Sequence, residues 1–163
     1  MLFRNATTED LKEIVEIYNT TIAGRMVTAD TEPVTVDSRI KWFNEHSPEK
    51  RPLWMVEEDG VCVGWVSFQS FYGRPAYNGT AEISIYLHEN QRGKGHGKAI
   101  LTHAIAQCPS LEIHTLLGFI FSHNLPSIRL FEKLGFQEWA HLPNIAVLDN
   151  VERSLSILGK RIY

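Results

Sequence analysis

The residues with the clearest chemical potential in this 163-residue chain lie at 91–99: Gln91-Arg92-Gly93-Lys94-Gly95-His96-Gly97-Lys98-Ala99. Glycine at every second position strips the backbone of side-chain cover and permits positive φ angles. Main-chain N–H groups can then converge on one anion. A helix is expected from about Gly97, and its N-terminus adds about half a positive charge. Arg92, Lys94 and Lys98 add full charges. The chemistry this suits is the binding of a phosphate or pyrophosphate. The spacing excludes the two common nucleotide loops. A GxxxxGK[ST] loop would need glycine where Arg92 stands and a hydroxyl where Ala99 stands. The dinucleotide fingerprint GxGxxG is replaced here by GxGxG, and past mid-chain rather than in the first βα unit.

The elements around this turn follow from periodicity. Ala81 to His88 alternates apolar and polar residues, which predicts a strand with two distinct faces, Glu82, Ser84 and Tyr86 on one and Ile83, Ile85 and Leu87 on the other. The helix after the turn runs to about Gln107, where Pro109 closes it. Ile113 to Phe121 is apolar on both faces and predicts a central strand. Asn124 precedes a helix from Pro126 to Leu134, stopped by Gly135. On the N-terminal side, Leu2–Asn5 reads as a short strand. Thr7 to Asp10 reads as a capping box for a helix through Ile22, with Gly24 ending it. A second helix is expected within Pro33–Asn44, with Val36, Ile40 and Phe43 on one face. Leu53–Glu57 and Val61–Phe71 form a hairpin across Glu58-Asp59-Gly60. Residues 71–80 form a loop, and Phe136–Trp139 and Val151–Leu158 are two final strands. The order β-α-α-β-β-β-α-β-α-β-β is that of a mixed α/β sheet.

Length and composition set the class. One domain over 1–163 is expected, and 44% hydrophobic with 21% charged residues fits an ordinary globule. Sixteen basic against nineteen acidic side chains give a net charge of −3, which argues against nucleic-acid binding by bulk charge. No apolar run is long enough to span a membrane, and the N-terminus lacks the pattern of a secretory signal. Cys62 and Cys108 stand alone as reduced thiols, so a cytoplasmic protein is expected. The seven histidines are scattered without an HExxH pattern, so no metal site is expected. No GxSxG elbow is present.

Two motifs in order carry a family resemblance. Arg92, Gly95 and Gly97 match the [Q/R]xxGx[G/A] pyrophosphate loop, and Asn124 followed by Ser127–Leu134 and Gly135-Phe136 matches the downstream Asn-helix-Gly-Phe pattern. The chain thus resembles the GNAT N-acetyltransferase superfamily. Within it, Tyr18-Asn19, Arg74-Pro75-Ala76-Tyr77 and Thr80–Leu87 look like the phosphinothricin and methionine sulfoximine or methionine sulfone acetyltransferases. The resemblance covers nearly the whole chain. It implies a mostly antiparallel seven-stranded sheet splayed at its centre, with about four flanking helices.

The resemblance also implies acetyl-CoA as acetyl donor and a small amino-acid-like amine as acceptor. The diphosphate would rest on the backbone of Gly93, Lys94, Gly95, His96, Gly97 and Lys98, with Arg92 beside it. The pantetheine arm would pair like an added strand with the backbone of Ile85, Tyr86 and Leu87, and Asn124 would bond that arm. Glu82 is the candidate base, because a charged amine must lose its proton before it attacks. Arg74, Pro75, Ala76 and Tyr77 are the candidate acceptor wall, together with Met26. Phe131 stands where many members carry a tyrosine that protonates the departing thiolate. A homodimer is implied as well. A protein or peptide acetyltransferase and a non-catalytic acyl-CoA sensor remain as alternative readings.

Overall fold

Asp59 and Gly60 both take positive φ, 51° and 75°, the geometry with which a two-residue turn matches the twist of its strands. The turn joins β2 (Leu53–Glu58) to β3 (Val61–Ser70). In the computed structural model, which describes residues 1–163, β1 (Leu2–Asn5), β4 (Thr80–Leu87), β5 (Thr115–Phe121), β6 (Gln137–Leu148) and β7 (Val151–Arg161) extend this hairpin into one sheet. The strand order is β1-β2-β3-β4-β5-β7-β6. Every neighbouring pair is antiparallel except β4 and β5. No helix is long and apolar enough to cross a membrane.

Strand alternation sends apolar residues to both faces. Helices α1 (Leu11–Thr20) and α2 (Val36–Asn44) cover one face, where Ile14 and Ile17 pack on Leu53, Met55 and Trp65, flanked by Trp42 and Phe43. Helices α3 (His96–Gln107) and α4 (Leu125–Lys133) cover the other, where Ile100, Leu101, Ala104 and Phe131 meet Val66, Phe68, Ala81 and Ile83. The capping box forms as expected, with the Thr7 N–H donating to Asp10 Oδ2 at 2.7 Å.

The structure departs from the sequence expectation at several boundaries. Helix α1 ends at Thr20, not at Gly24, because the Thr21 hydroxyl donates to the Tyr18 carbonyl (2.6 Å) and caps the turn. Helix α2 starts at Val36, with Thr35 accepting from the Ser38 N–H. Its inward face carries Trp42 and Phe43, whereas Ile40 is exposed. Strand β6 runs on to Leu148 instead of ending at Trp139, and β7 runs three residues past Leu158 to Arg161. Asp149 and Asn150 make a second tight turn between them, at φ 51° and 62°. Pro143 lies in β6 at a break in its register between Leu142 and Ala146, where a missing N–H is tolerated.

The decisive feature is the β4–β5 pair. These parallel strands pair only over Thr80–Glu82 and Thr115–Leu117, then diverge toward Leu87 and Phe121. A crevice at the carboxyl ends of parallel strands is where open α/β sheets bind ligands.

Candidate active site

The phase of β4 is fixed by its antiparallel partner. The His88 N–H donates to the Val63 carbonyl at 2.9 Å, and His88 is therefore directed at β3. By alternation Ser84 and Tyr86 also turn their backbone groups to β3, while Ile85 and Leu87 turn theirs into the gap left by β5. Of the three residues expected to pair with a pantetheine arm, Ile85 and Leu87 thus present backbone polar groups to the gap, and Tyr86 forms only part of its wall.

The gap is a cleft of about 170 Å³, lined by Ile85 and Leu87 on one side and by Gly118, Phe121, Leu130 and Phe131 on the other. Gly97 sits at its mouth, 3.3 Å (from an added Cβ) from Leu130 Cδ2, so α3 and α4 approach closely there. Above the cleft, Gly93 and Gly95 adopt φ of 73° and 83°. None of the backbone N–H groups from Gly93 to Lys98 has an acceptor within the chain; the first intrahelical bond comes from Ala99 to the Gly95 carbonyl. This run of free donors at a helix N-terminus fits an anionic group.

The side chains of the loop divide. Arg92 is committed to the protein: its guanidinium donates to Thr20 Oγ1 (2.8 Å) and to the Leu87 carbonyl (3.3 Å), tying the loop to α1 and to the end of β4. His96 turns away and faces Glu58 at 3.5 Å, so only its N–H serves the loop. Lys94 and Lys98 are exposed.

Asn124 is 8% exposed and lines the cleft. Its Oδ1 accepts from the Ser127 N–H (3.4 Å) as a helix cap. Its Nδ2 donates to the Met26 carbonyl (3.2 Å). Beside it His123 bonds the Arg25 carbonyl at 2.8 Å. The segment after α1 is thereby fastened over the cleft, and Met26, expected in the acceptor wall, lines this cleft instead.

A second cavity of about 260 Å³ opens on the opposite face of β4. Glu82, Ser84 and Tyr86 form its floor, Trp65, Tyr18 and Trp42 its aromatic walls, and Arg39 its cationic corner. Tyr86 stacks on Trp65 with ring centroids 4.5 Å apart. Arg39 lies 4.9 Å over the Tyr18 ring and bonds Asp30 at 2.8 Å. Asp30 and Thr28 both bond the Tyr18 hydroxyl, which fixes this corner. Ser84 and Tyr86 line both cavities, so the two meet at β4.

Glu82 points into the second cavity, and its carboxylate has no hydrogen-bond partner in the protein. Burial pushes its carboxyl above the ordinary carboxylate range. Burial likewise raises the Tyr86 phenol, with a smaller push from Tyr18, so Tyr86 stays protonated at neutral pH.

The turn Arg74-Pro75-Ala76-Tyr77 is exposed, and in the single chain it lines neither cavity. Tyr77 packs on Phe71, 5.3 Å between ring centroids. Arg39, Trp42 and Trp65 escaped the sequence reading because α2 and β3 meet only in the fold. The one available signal was aromatic residues on elements flanking Tyr18.

A sheet splayed between parallel β4 and β5, with free amides over the gap, leaves a cleft suited to an extended ligand that carries an anionic group. Residues 11–136 match the Acetyltransferase (GNAT) family, and the chain belongs to it: it is an N-acetyltransferase. Over 163 residues it is 53% identical to YwnH of Bacillus subtilis (strain 168), by name a candidate phosphinothricin acetyltransferase, covering 99% of each chain. It is 31% identical to the L-methionine sulfoximine/L-methionine sulfone acetyltransferase of Salmonella typhimurium, covering 90% of this chain and 86% of that one. The structure of yncA from Salmonella typhimurium, a candidate acetyltransferase with its cofactor acetyl-CoA, superposes with a TM-score of 0.91 at 29% identity, over 100% of this chain and 94% of that one.

Proposed function

We propose that the protein moves the acetyl group of acetyl-CoA to the primary amine of a small amino-acid-like acceptor, of the methionine sulfoximine, methionine sulfone or phosphinothricin type. The observation that carries this reading is the meeting of two cavities at β4, with the Glu82 carboxylate facing the acceptor side. The relatives' names support the acceptor class.

Acetyl-CoA supplies an activated thioester. The free amides of Gly93 to Lys98 hold its diphosphate, and the Ile85 backbone with the Leu87 N–H takes the pantetheine arm as an extra strand, while the Leu87 carbonyl is already held by Arg92. Asn124 keeps the cleft open by holding Met26 and has a second amide hydrogen to give. The acceptor amine enters above Glu82, which removes its proton directly or through one water, and the neutral amine attacks in a ternary complex. The Leu87 N–H is placed to polarise the thioester carbonyl; one such donor is typically worth about 3 kcal/mol of barrier. The aromatic walls exclude water from the acceptor side chain, and Arg39 provides a counter-charge for its acidic group. Phe131 offers no proton, so the thiolate leaves to solvent or takes its proton there.

We extend the proposal to a single-domain cytoplasmic homodimer. Trp139, Leu142, Ile145 and Val147 on the outer strand β6 are exposed apolar residues on one edge of the sheet, which a second copy could cover. The Arg74–Tyr77 turn would act on the acceptor held by the second copy.

The test is thiol release from acetyl-CoA with a panel of methionine sulfone, methionine sulfoximine, phosphinothricin and short peptides. Turnover with the small amino acids and none with peptides is expected. Turnover with peptides alone would favour the protein-acetylating reading, and binding without any turnover the sensor reading.

A further inference from the structure

Glu13 on α1, Cys62 on β3 and His88 just beyond β4 converge on one point outside both cavities. A carboxylate oxygen, a sulfur and an imidazole nitrogen lie within 4.8 Å of one another, each on a half-buried side chain. His88 Nε2 stands 3.1 Å from Glu13 Oε1. Zinc bonds to nitrogen and oxygen of about 2.0–2.1 Å, opened to the tetrahedral angle, separate those two atoms by about 3.3 Å. Two of the three groups therefore already have the spacing of a metal edge. The Cys62 sulfur, whose thiol donates to the Gly64 carbonyl at 3.8 Å, stands at the third corner.

We propose that Glu13, Cys62 and His88 bind a zinc ion, clipping α1 to the β3–β4 end of the sheet. One thiolate, one imidazole and one carboxylate make a mixed set suited to a borderline-soft divalent cation. Three protein ligands leave the fourth position to water, and the open polar side formed by Thr20, Glu89 and Asn90 next to His88 gives that water room. The thiol is not poised as a nucleophile: burial, then the Glu13 carboxylate, push it up to about 12. On binding, the cation displaces the thiol proton to solvent and a sulfur–metal bond forms, with no change of oxidation state. Sequence alone hid the site, because positions 13, 62 and 88 share no local spacing.

The test is a titration of the full chain with Co²⁺ as a spectroscopic stand-in. One equivalent is expected to raise a thiolate charge-transfer band in the near ultraviolet together with the visible bands of a tetrahedral ion. One equivalent of Zn²⁺ should bleach both and raise Tm, because it binds only the folded chain. Cys62→Ser should abolish the charge-transfer band. His88→Gln, on a half-exposed side chain that can change without disturbing the core, should weaken Co²⁺ binding at least ~10-fold. Cys108→Ala should leave the band intact, since that thiol is buried in the core. Absence of the band at stoichiometric Co²⁺, or a band that survives Cys62→Ser, would overturn the proposal and leave an ion pair beside an ordinary thiol.

Discussion

Gly118 and Phe131 pack so closely that a Cβ built on the glycine would lie 2.5 Å from the ring carbon Cε1. The bare strand lets the ring settle against β5, and the cleft between β4 and β5 stays open because of it. Gly118→Ala must push the ring or the strand. It is expected to cost about 1–3 kcal/mol of stability, read as a lower Tm. It should also weaken acetyl-CoA binding ~10-fold by calorimetry, as the displaced ring narrows the cleft. Unchanged affinity in a folded variant would mean that the pantetheine arm takes another route.

Glu82 carries opposite signs in activity and in stability. Its raised carboxyl means the folded chain holds that proton to higher pH than the unfolded chain does. The stability so gained is present at low pH and is lost as pH rises through the folded value. Glu82→Gln stays neutral throughout, so at neutral pH its Tm is expected to equal or exceed that of the parent. Its kcat should fall ~100-fold or more. The acid limb of the parent's kcat profile, where Glu82 gains its proton, should lie above the ordinary carboxylate range and disappear in the variant. A parent-like pH profile in Glu82→Gln would remove Glu82 from the proton path.

At Gly95 the cost of substitution is conformational. A Cβ there meets nothing within 4 Å, yet φ is +83°. Gly95→Val forces the loop out of its left-handed turn and swings the neighbouring amides, at a cost of roughly 1–2 kcal/mol for a side chain in that region. Acetyl-CoA affinity is expected to fall ~10-fold in calorimetry, with Tm lower by about 2–8 °C.

Arg39 separates acceptor binding from chemistry. It lines the second cavity, the proposed acceptor site, while its guanidinium is already oriented by Asp30 and the Tyr18 ring. Arg39→Gln should raise the KM for methionine sulfone ~10-fold or more and leave the KM for acetyl-CoA near that of the parent. An equal rise in both constants would point to collapse of the cavity and not to loss of a counter-charge.

What could be read from the sequence was what one stretch of chain fixes by itself. The glycine turn at 93–97, the Thr7–Asp10 box, the Asp59-Gly60 hairpin and the two-faced strand 81–87 are local devices, and each is where its residue types put it. The element order followed from them. Strand β6 was legible only at its start, Phe136–Trp139, because Pro143 and the exposed apolar residues around it break the alternation that marks a strand. The walls of the acceptor cavity were not legible either: Arg39, Trp42 and Trp65 come together only when α2 docks on the α1 face of the sheet. The same holds for Glu13, Cys62 and His88. His96 shows the opposite limit, since its place in the motif was plain but its side chain turns to Glu58.

The proposed grip of the free main-chain donors above the β4–β5 gap on the donor's diphosphate is tested most directly by a crystal structure of the protein with coenzyme A. Diphosphate oxygens are expected within hydrogen-bonding distance of the N–H groups between Gly93 and Lys98, with the pantetheine arm lying against Ile85 and Leu87. A diphosphate bound elsewhere, with the gap between the strands empty, would contradict it.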